Sequence, residues 1–341
     1  MRVQPTRTEL FDILYGIAAR DGREEVLFGD DILLARPAFE RMLIGDCFPS
    51  VYLEFPLMGT PGFDVLAGYG RTSEGACFAP GAGYGRQDLF DWFASVCKAG
   101  ESASVGFEVD TSARRIDVAG VYLQQHRQAG LVEPFLSSMG EQSRAPSYLA
   151  LRERLPRGWP TSYVGLFPGR AGTPMRIGGY LSPRAQARCA GDPGELRACF
   201  ESVGFSAYTS DMLRRCAQLM GIAPSVDFQF DIFPDGSLGD TFGLSLSFNE
   251  VAPREMPACM ESGYGARLMR LLEDWDLVDS RWKLLADACF AQHVSYPHAE
   301  RQARRLALCV LPNFAKVKFV AGVAAPAKFY LQCAAKVLNS Q

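Results

Sequence analysis

The chain has 341 residues, 48% hydrophobic and 21% charged, with a formal net charge of −3. A mildly acidic chain with only six lysines among its 35 basic residues offers no broad basic surface, which argues against a nucleic-acid partner. No apolar run nears the ~18 residues that span a bilayer, and the N-terminal MRVQPTRTEL has no apolar export segment. No membrane partner and a cytoplasmic location are therefore expected.

The ten cysteines include no C-x-x-C pair, and several (Cys199, Cys216, Cys289, Cys309) sit in apolar patterns where cysteine acts as a small buried hydrophobe. They read as reduced thiols rather than a disulfide framework. With three histidines (His126, His293, His298) and no H-E-x-x-H spacing, neither a metal site nor a cofactor is expected.

In chain order, a helical N-terminal segment (1–48) precedes five strand pairs. The first is PSVYLEFPLMG with GFDVLAGYG, 49–70. A glycine-rich stretch (68–86) follows, lacking both G-x-G-x-x-G and G-x-x-x-x-G-K-[ST], and reads as a connection or lid. Periodicity predicts a helix over 87–100, then a second hairpin over 104–124 and a third, TSYVGLF with MRIGGYLS, over 161–182. Helices are expected over 193–204 and 210–221, each ended by a glycine (Gly204, Gly221), with Thr209 or Ser210 capping the second. The fourth hairpin, 226–249, alternates most clearly. Phe228, Phe230 and Ile232 interleave with polar residues, and Pro234-Asp235-Gly236 supplies the turn. A helix over 266–275 and a fifth hairpin over 313–332 lead to a tail, 333–341. His293 and His298 are expected to flank a loop.

Helix-separated antiparallel hairpins exclude Rossmann and TIM arrangements, because parallel strands cannot be joined by short turns. One strand face is apolar throughout, while the other is polar and aromatic rather than simply charged. The predicted fold is α+β, with about ten antiparallel strands in five hairpins closed as a barrel inside an outer ring of helices.

Alternation then assigns the lumen. The first hairpin gives Tyr52, Glu54 and Asp64, and the second Glu108, Asp117, Tyr122 and Gln124. The third gives Tyr163, Arg176 and Tyr180, the fourth Asp227, Gln229, Asp231, Ser245 and Ser247. The fifth adds Lys316, Lys318, Lys328, Tyr330 and Gln332. Six carboxylates face four basic groups in this set, an acidic balance favouring a neutral or cationic ligand. GVYLQ, GGYLS and KFYLQ form a weak internal repeat.

Five separated hairpins in a chain of this length, strand-ending tyrosines and a first-strand glutamate resemble the ABBA prenyltransferase barrel (PT-barrel), in particular its indole-prenylating branch. The resemblance implies that Glu54 accepts an indole N–H. It implies that Lys328-Phe-Tyr330, a K-x-Y arrangement, binds prenyl diphosphate and shields the allyl cation; Arg176 with Tyr180 fits in part. The chain also departs from that pattern. Gly178 and Gly120 stand where basic residues are expected, Ser245-Leu-Ser247 replaces a Gln/Lys-x-Tyr, and Asp64 replaces an arginine. Each lost charge-assisted hydrogen bond is worth roughly 1.5–3 kcal/mol, so about three losses would cost more than a thousandfold in affinity.

Three readings follow. In the first, the barrel binds a peptide or an indole-containing small molecule during ribosomal-peptide natural-product (RiPP) maturation. Glu54 would then assist tryptophan modification or cyclisation, with no prenyl donor. In the second, it is an active aromatic prenyltransferase. Arg176, Lys316, Lys318 and Lys328 hold the diphosphate, and Tyr122, Tyr180 and Tyr330 shield the cation, without an Asp-rich metal motif. In the third, it binds a partner without catalysis; Glu54 is a satisfied carboxylate, and Lys316 and Lys318 blunt an edge strand. The sequence fixes no oligomeric state.

Overall fold

Strands with one apolar and one polar face can satisfy both only by wrapping the polar face around an interior and covering the apolar face with helices. The computed structural model describes Leu27 and residues 50–70, 87–99, 103–109, 118–125, 129–168, 172–296 and 304–338. The expected 1–48 helical segment (Leu27 apart), most of the glycine-rich stretch, Asp117 and His298 lie outside them.

The strands are β1 Ser50–Pro56, β2 Asp64–Gly70, β3 Ala103–Val109, β4 Val118–Gln125, β5 Tyr163–Leu166 and β6 Met175–Tyr180. They continue with β7 Val226–Ile232, β8 Leu238–Ser247, β9 Phe290–Tyr296, β10 Arg304–Val320, β11 Val323–Ala324 and β12 Lys328–Leu338. The hydrogen-bonded order is β10-β12-β1-β2-β3-β4-β5-β6-β7-β8, antiparallel throughout, and β8 pairs back onto β10. Ten strands therefore form a closed barrel, as predicted, with β9 and β11 off the ring.

The outward faces carry Val51, Phe55, Val105, Val121, Ile177, Phe228, Phe230, Phe242, Leu244, Val317 and Phe329, all 3% exposed or less. Over them pack α1 Gln87–Lys98, α2 Val132–Ser138, α3 Ala145–Arg154, α4 Pro183–Gly191, α5 Pro193–Val203, α6 Ser210–Ile222, α7 Met256–Glu261, α8 Tyr264–Asp274 and α9 Leu285–Ala288. Aromatic contacts join the layers. The Phe200 ring on α5 meets Phe242 at 4.7 Å, and Trp159 meets Phe228 at 4.8 Å. Thr209 caps α6, its Oγ1 accepting from the Met212 N–H at 3.1 Å. Gly204 closes α5 at φ +82°.

Four expectations are corrected. Gly221 does not end α6, which runs on to Ile222. His293 lies in β9 rather than beside a loop, because 290–296 pairs with the first half of β10. β10 begins at Arg304, not near 313: Pro312, which has no N–H to give a ladder, sits at a register irregularity and so does not end the strand. The expected tail from 333 is strand up to Leu338, with Cys333 buried and paired with both Val51 and Val310.

Candidate functional site

Register converts alternation into rings of side chains around the lumen. One row runs Lys318, Gly243, Gln229, Gly178, Tyr163, Gln124, Ser104 from β10 through β3. Another runs Glu54, Tyr330, Phe314, Ser247 from β1 through β12 and β10 to β8. A third runs Asp231, Arg176, Gly165, Tyr122 from β7 to β4. They enclose a cavity of about 650 Å³. Tyr52, Glu54, Asp64, Tyr122, Gln124, Tyr163, Arg176, Tyr180, Gln229, Lys316, Lys318, Lys328 and Tyr330 all line it. Gln124 and Tyr180 are the exposed members, and Tyr180, 46% exposed, marks an open side.

Glu54 sits at the centre of the charge distribution. Lys328 Nζ lies 2.7 Å from its Oε1 and 3.3 Å from Asp64 Oδ2, so one ammonium bridges two carboxylates. Burial pushes the Glu54 carboxyl up, but Lys328, Lys316 and Lys318 together outweigh it and hold it at about 2. Glu54 is thus a permanently ionised acceptor and a poor base. Burial lowers the Lys328 ammonium, yet Glu54 and Asp64 leave it raised. The Tyr330 hydroxyl, raised by burial and by Glu54, bonds to the same carboxylate, and its ring packs 4.0 Å from Phe314.

On the opposite wall Arg176 is engaged through two of its guanidinium nitrogens. Its Nε donates to Asp231 Oδ1 at 3.1 Å and its Nη1 to the Tyr122 hydroxyl at 3.2 Å. The Tyr122 hydroxyl in turn donates to Glu108 Oε2 at 2.5 Å. The Phe167 ring lies 4.6 Å below the guanidinium. The glycines that replace expected basic residues make room for rings. A Cβ at Gly178 would fall 2.3 Å from Tyr163 and 2.4 Å from the Phe228 carbonyl, and one at Gly120 would fall 3.1 Å from Tyr122 and 3.2 Å from Phe167.

Lys316 and Lys318 are different. Among the described residues neither forms an ion pair. Burial lowers the Lys316 ammonium, and repulsion from Lys318 and Arg176 carries it to about 7. Lys318 is lowered first by burial and then by Arg176. Asp227, which accepts from the Tyr163 hydroxyl at 3.4 Å, is raised by burial to about 7. The described lining holds four carboxylates (Glu54, Asp64, Glu108, Asp227) and four basic groups, balanced rather than acidic as expected from sequence, with Asp117 outside the described residues. Asp231 stands outside the lining, behind Arg176.

Sequence reasoning missed Phe314, Phe167, Asn249 and Asn313 as lining residues. Phe314 shares the parity of Lys316 and was there to be read. Phe167 lies past the end of β5. Asn313, buried at the β10 irregularity, donates from Nδ2 to Asn249 Oδ1 at 2.7 Å; Asn249 continues the parity of Ser245 and Ser247, whereas Asn313 is out of step with Lys316 and Lys318.

No protein-family model and no curated protein matches the sequence. Among solved structures, PriB in a binary complex with product diphosphate aligns with a TM-score of 0.51 at 11% identity, covering 95% of this chain and 96% of that one. AnaPT from Neosartorya fischeri gives 0.45 at 11%, covering 95% and 91%. The 5-dimethylallyltryptophan synthase from Streptomyces coelicolor gives 0.44 at 12%, covering 96% and 95%. The closed ten-strand ring and the likeness to PriB show a PT-barrel fold. At such identity the likeness speaks for the fold alone.

Proposed function

We propose that the lumen binds an electron-rich aromatic molecule of the indole type together with an anionic donor, and that the protein transfers a prenyl group between them. The observation that carries this reading is the Lys316–Lys318 pair. Two half-buried lysines on the cavity wall with no ion pair among the described residues, beside an ionised acceptor and a stack of aromatic rings, suit an anion better than an empty interior. Glu54 accepts the indole N–H and orients the ring. Lys316 and Lys318, with Arg176 behind them, hold the diphosphate oxygens. The allylic C–O bond breaks, its electron pair leaves with the diphosphate, and the Tyr330 and Tyr122 rings face the resulting cation until an aromatic carbon attacks it. The substituted carbon then loses its proton to the released diphosphate, because Glu54, held at about 2, is too weak a base to take it. A diphosphate in a barrel of this shape is supported by the PriB structure, a binary complex with product diphosphate.

Calorimetric titration with dimethylallyl and geranyl diphosphate tests the reading. Micromolar binding is expected, followed by prenylated product when tryptophan or tryptophan-containing peptides are added. Silence with both donors at high micromolar concentration overturns it.

One observation favours a second reading, donor-free modification of a peptide tryptophan in RiPP maturation. Glycines stand at 178 and 120, with rings against them, so the basic set is smaller than the prenyltransferase pattern implies. A mass or absorbance change in a tryptophan peptide without donor would select it.

A further inference from the structure

Three inward side chains succeed one another on β7. Asp227 accepts from Tyr163 at 3.4 Å and Asp231 from Arg176 at 3.1 Å. Gln229 stands between them, 1% exposed, and both its Nε2 and its Oε1 lack a partner among the described residues. A buried carboxamide with neither end satisfied is uncommon and calls for a reason. Its neighbours supply part of one. Gln229 pairs with Gly178 on β6 and Gly243 on β8, so neither flanking strand offers a side chain at its level. A Cβ at Gly243 would sit 3.3 Å from the Gln229 Cβ and 3.7 Å from its Oε1, so the carboxamide lies across that glycine, on the cavity wall.

We propose that Gln229 is a specificity-determining residue that reads a neutral amide edge on the aromatic ligand. This rests on the lumen being an aromatic-ligand site. The chemistry follows from the two orphaned atoms, one a donor and one an acceptor. A carboxylate satisfies only the donor, and an ammonium only the acceptor. A primary or secondary amide, presenting C=O and N–H together, satisfies both. Exchanging the assigned nitrogen and oxygen leaves the argument intact, since neither has a partner. A ligand whose ring reaches Glu54 and whose substituent carries such an amide would span the lumen from β1 to β7.

The test titrates three ligands sharing one ring, indole-3-acetamide, indole-3-acetate and 3-methylindole, into the wild-type protein, Gln229→Met and Gln229→Glu. The wild type is expected to bind the acetamide about tenfold more tightly than 3-methylindole, the worth of one or two buried hydrogen bonds. Gln229→Met should lose that ratio while keeping 3-methylindole affinity, and Gln229→Glu, left with acceptors only, should keep a reduced ratio. Equal wild-type affinities for acetamide and methyl ligands overturn the role of Gln229 and leave the aromatic site standing. So does a Gln229→Met protein that still prefers the amide, or a wild type that prefers the acetate. Absence of binding by all three ligands overturns both.

Discussion

Two lumen residues make stability rise with pH in two separate windows. Glu54 has its folded-state pKa depressed from 4.5 to about 2, so it contributes stability that is present above 4.5 and lost as pH falls toward 2. A displacement of that size in a buried group corresponds to on the order of 3 kcal/mol. Glu54→Gln should therefore melt lower at pH 7 and show a flatter loss of stability below pH 4.5, measured by denaturant titration across pH. Lys316 has its folded pKa lowered from 10.5 to about 7, which makes the empty protein gain stability as pH rises between those values. An anion needs the protonated amine, so affinity for inorganic pyrophosphate should fall as pH rises through 7. At pH 8 binding should take up a proton, read as a heat that changes with the ionisation enthalpy of the buffer. Lys318, Arg176, Lys328, Glu54, Glu108 and Asp227 surround this amine, and a pH-independent affinity would show that it does not meet the anion.

At the level of strands, the two glycines that stand in place of basic residues are not equivalent. Gly178 is closed on two sides, by a ring and by a backbone carbonyl that cannot yield, whereas a Cβ at Gly120 would meet only the edges of Tyr122 and Phe167 at 3.1–3.3 Å. Gly178→Lys should destabilise by at least ~2–4 kcal/mol, and removing the ring with Tyr163→Ala should rescue it only in part. Gly120→Lys should fold and bind pyrophosphate more tightly, as melting curves and calorimetry would show. The same scale explains what the sequence disclosed. Alternation placed the named site residues of the strands on the lumen side, because a period of two survives any tilt or twist of the sheet, though it passed over Phe314, Leu66 and Ser104 in the same strands. It stopped at Pro312, where a missing N–H looks like an ending but marks an irregularity within β10. It also passed over β9, whose partners are the apolar residues before that proline. Facing side chains were legible; which of them pair was not. The acidic balance read from composition evens out among the described residues, because Asp231 lies behind Arg176.

For the whole molecule, β12 is the stave between β10 and β1, and it brings Lys328 to the carboxylates of the first hairpin. Truncation after Gln332 removes Cys333 and the pairing of β12 with the first half of β10, and should cost several kcal/mol in denaturant unfolding. A melting temperature unchanged by that truncation would show the extension to be dispensable. The ion pair it delivers has a further consequence during synthesis. Asp64 and Lys328 are 264 residues apart, so a ribosome that has made only the early strands displays two carboxylates with no cation between them and a trough where the chamber will be. Ligand cannot template such a chain. It can only select molecules whose wall is already complete, which makes a bound small molecule a stabiliser of the finished protein and never a nucleus for its birth.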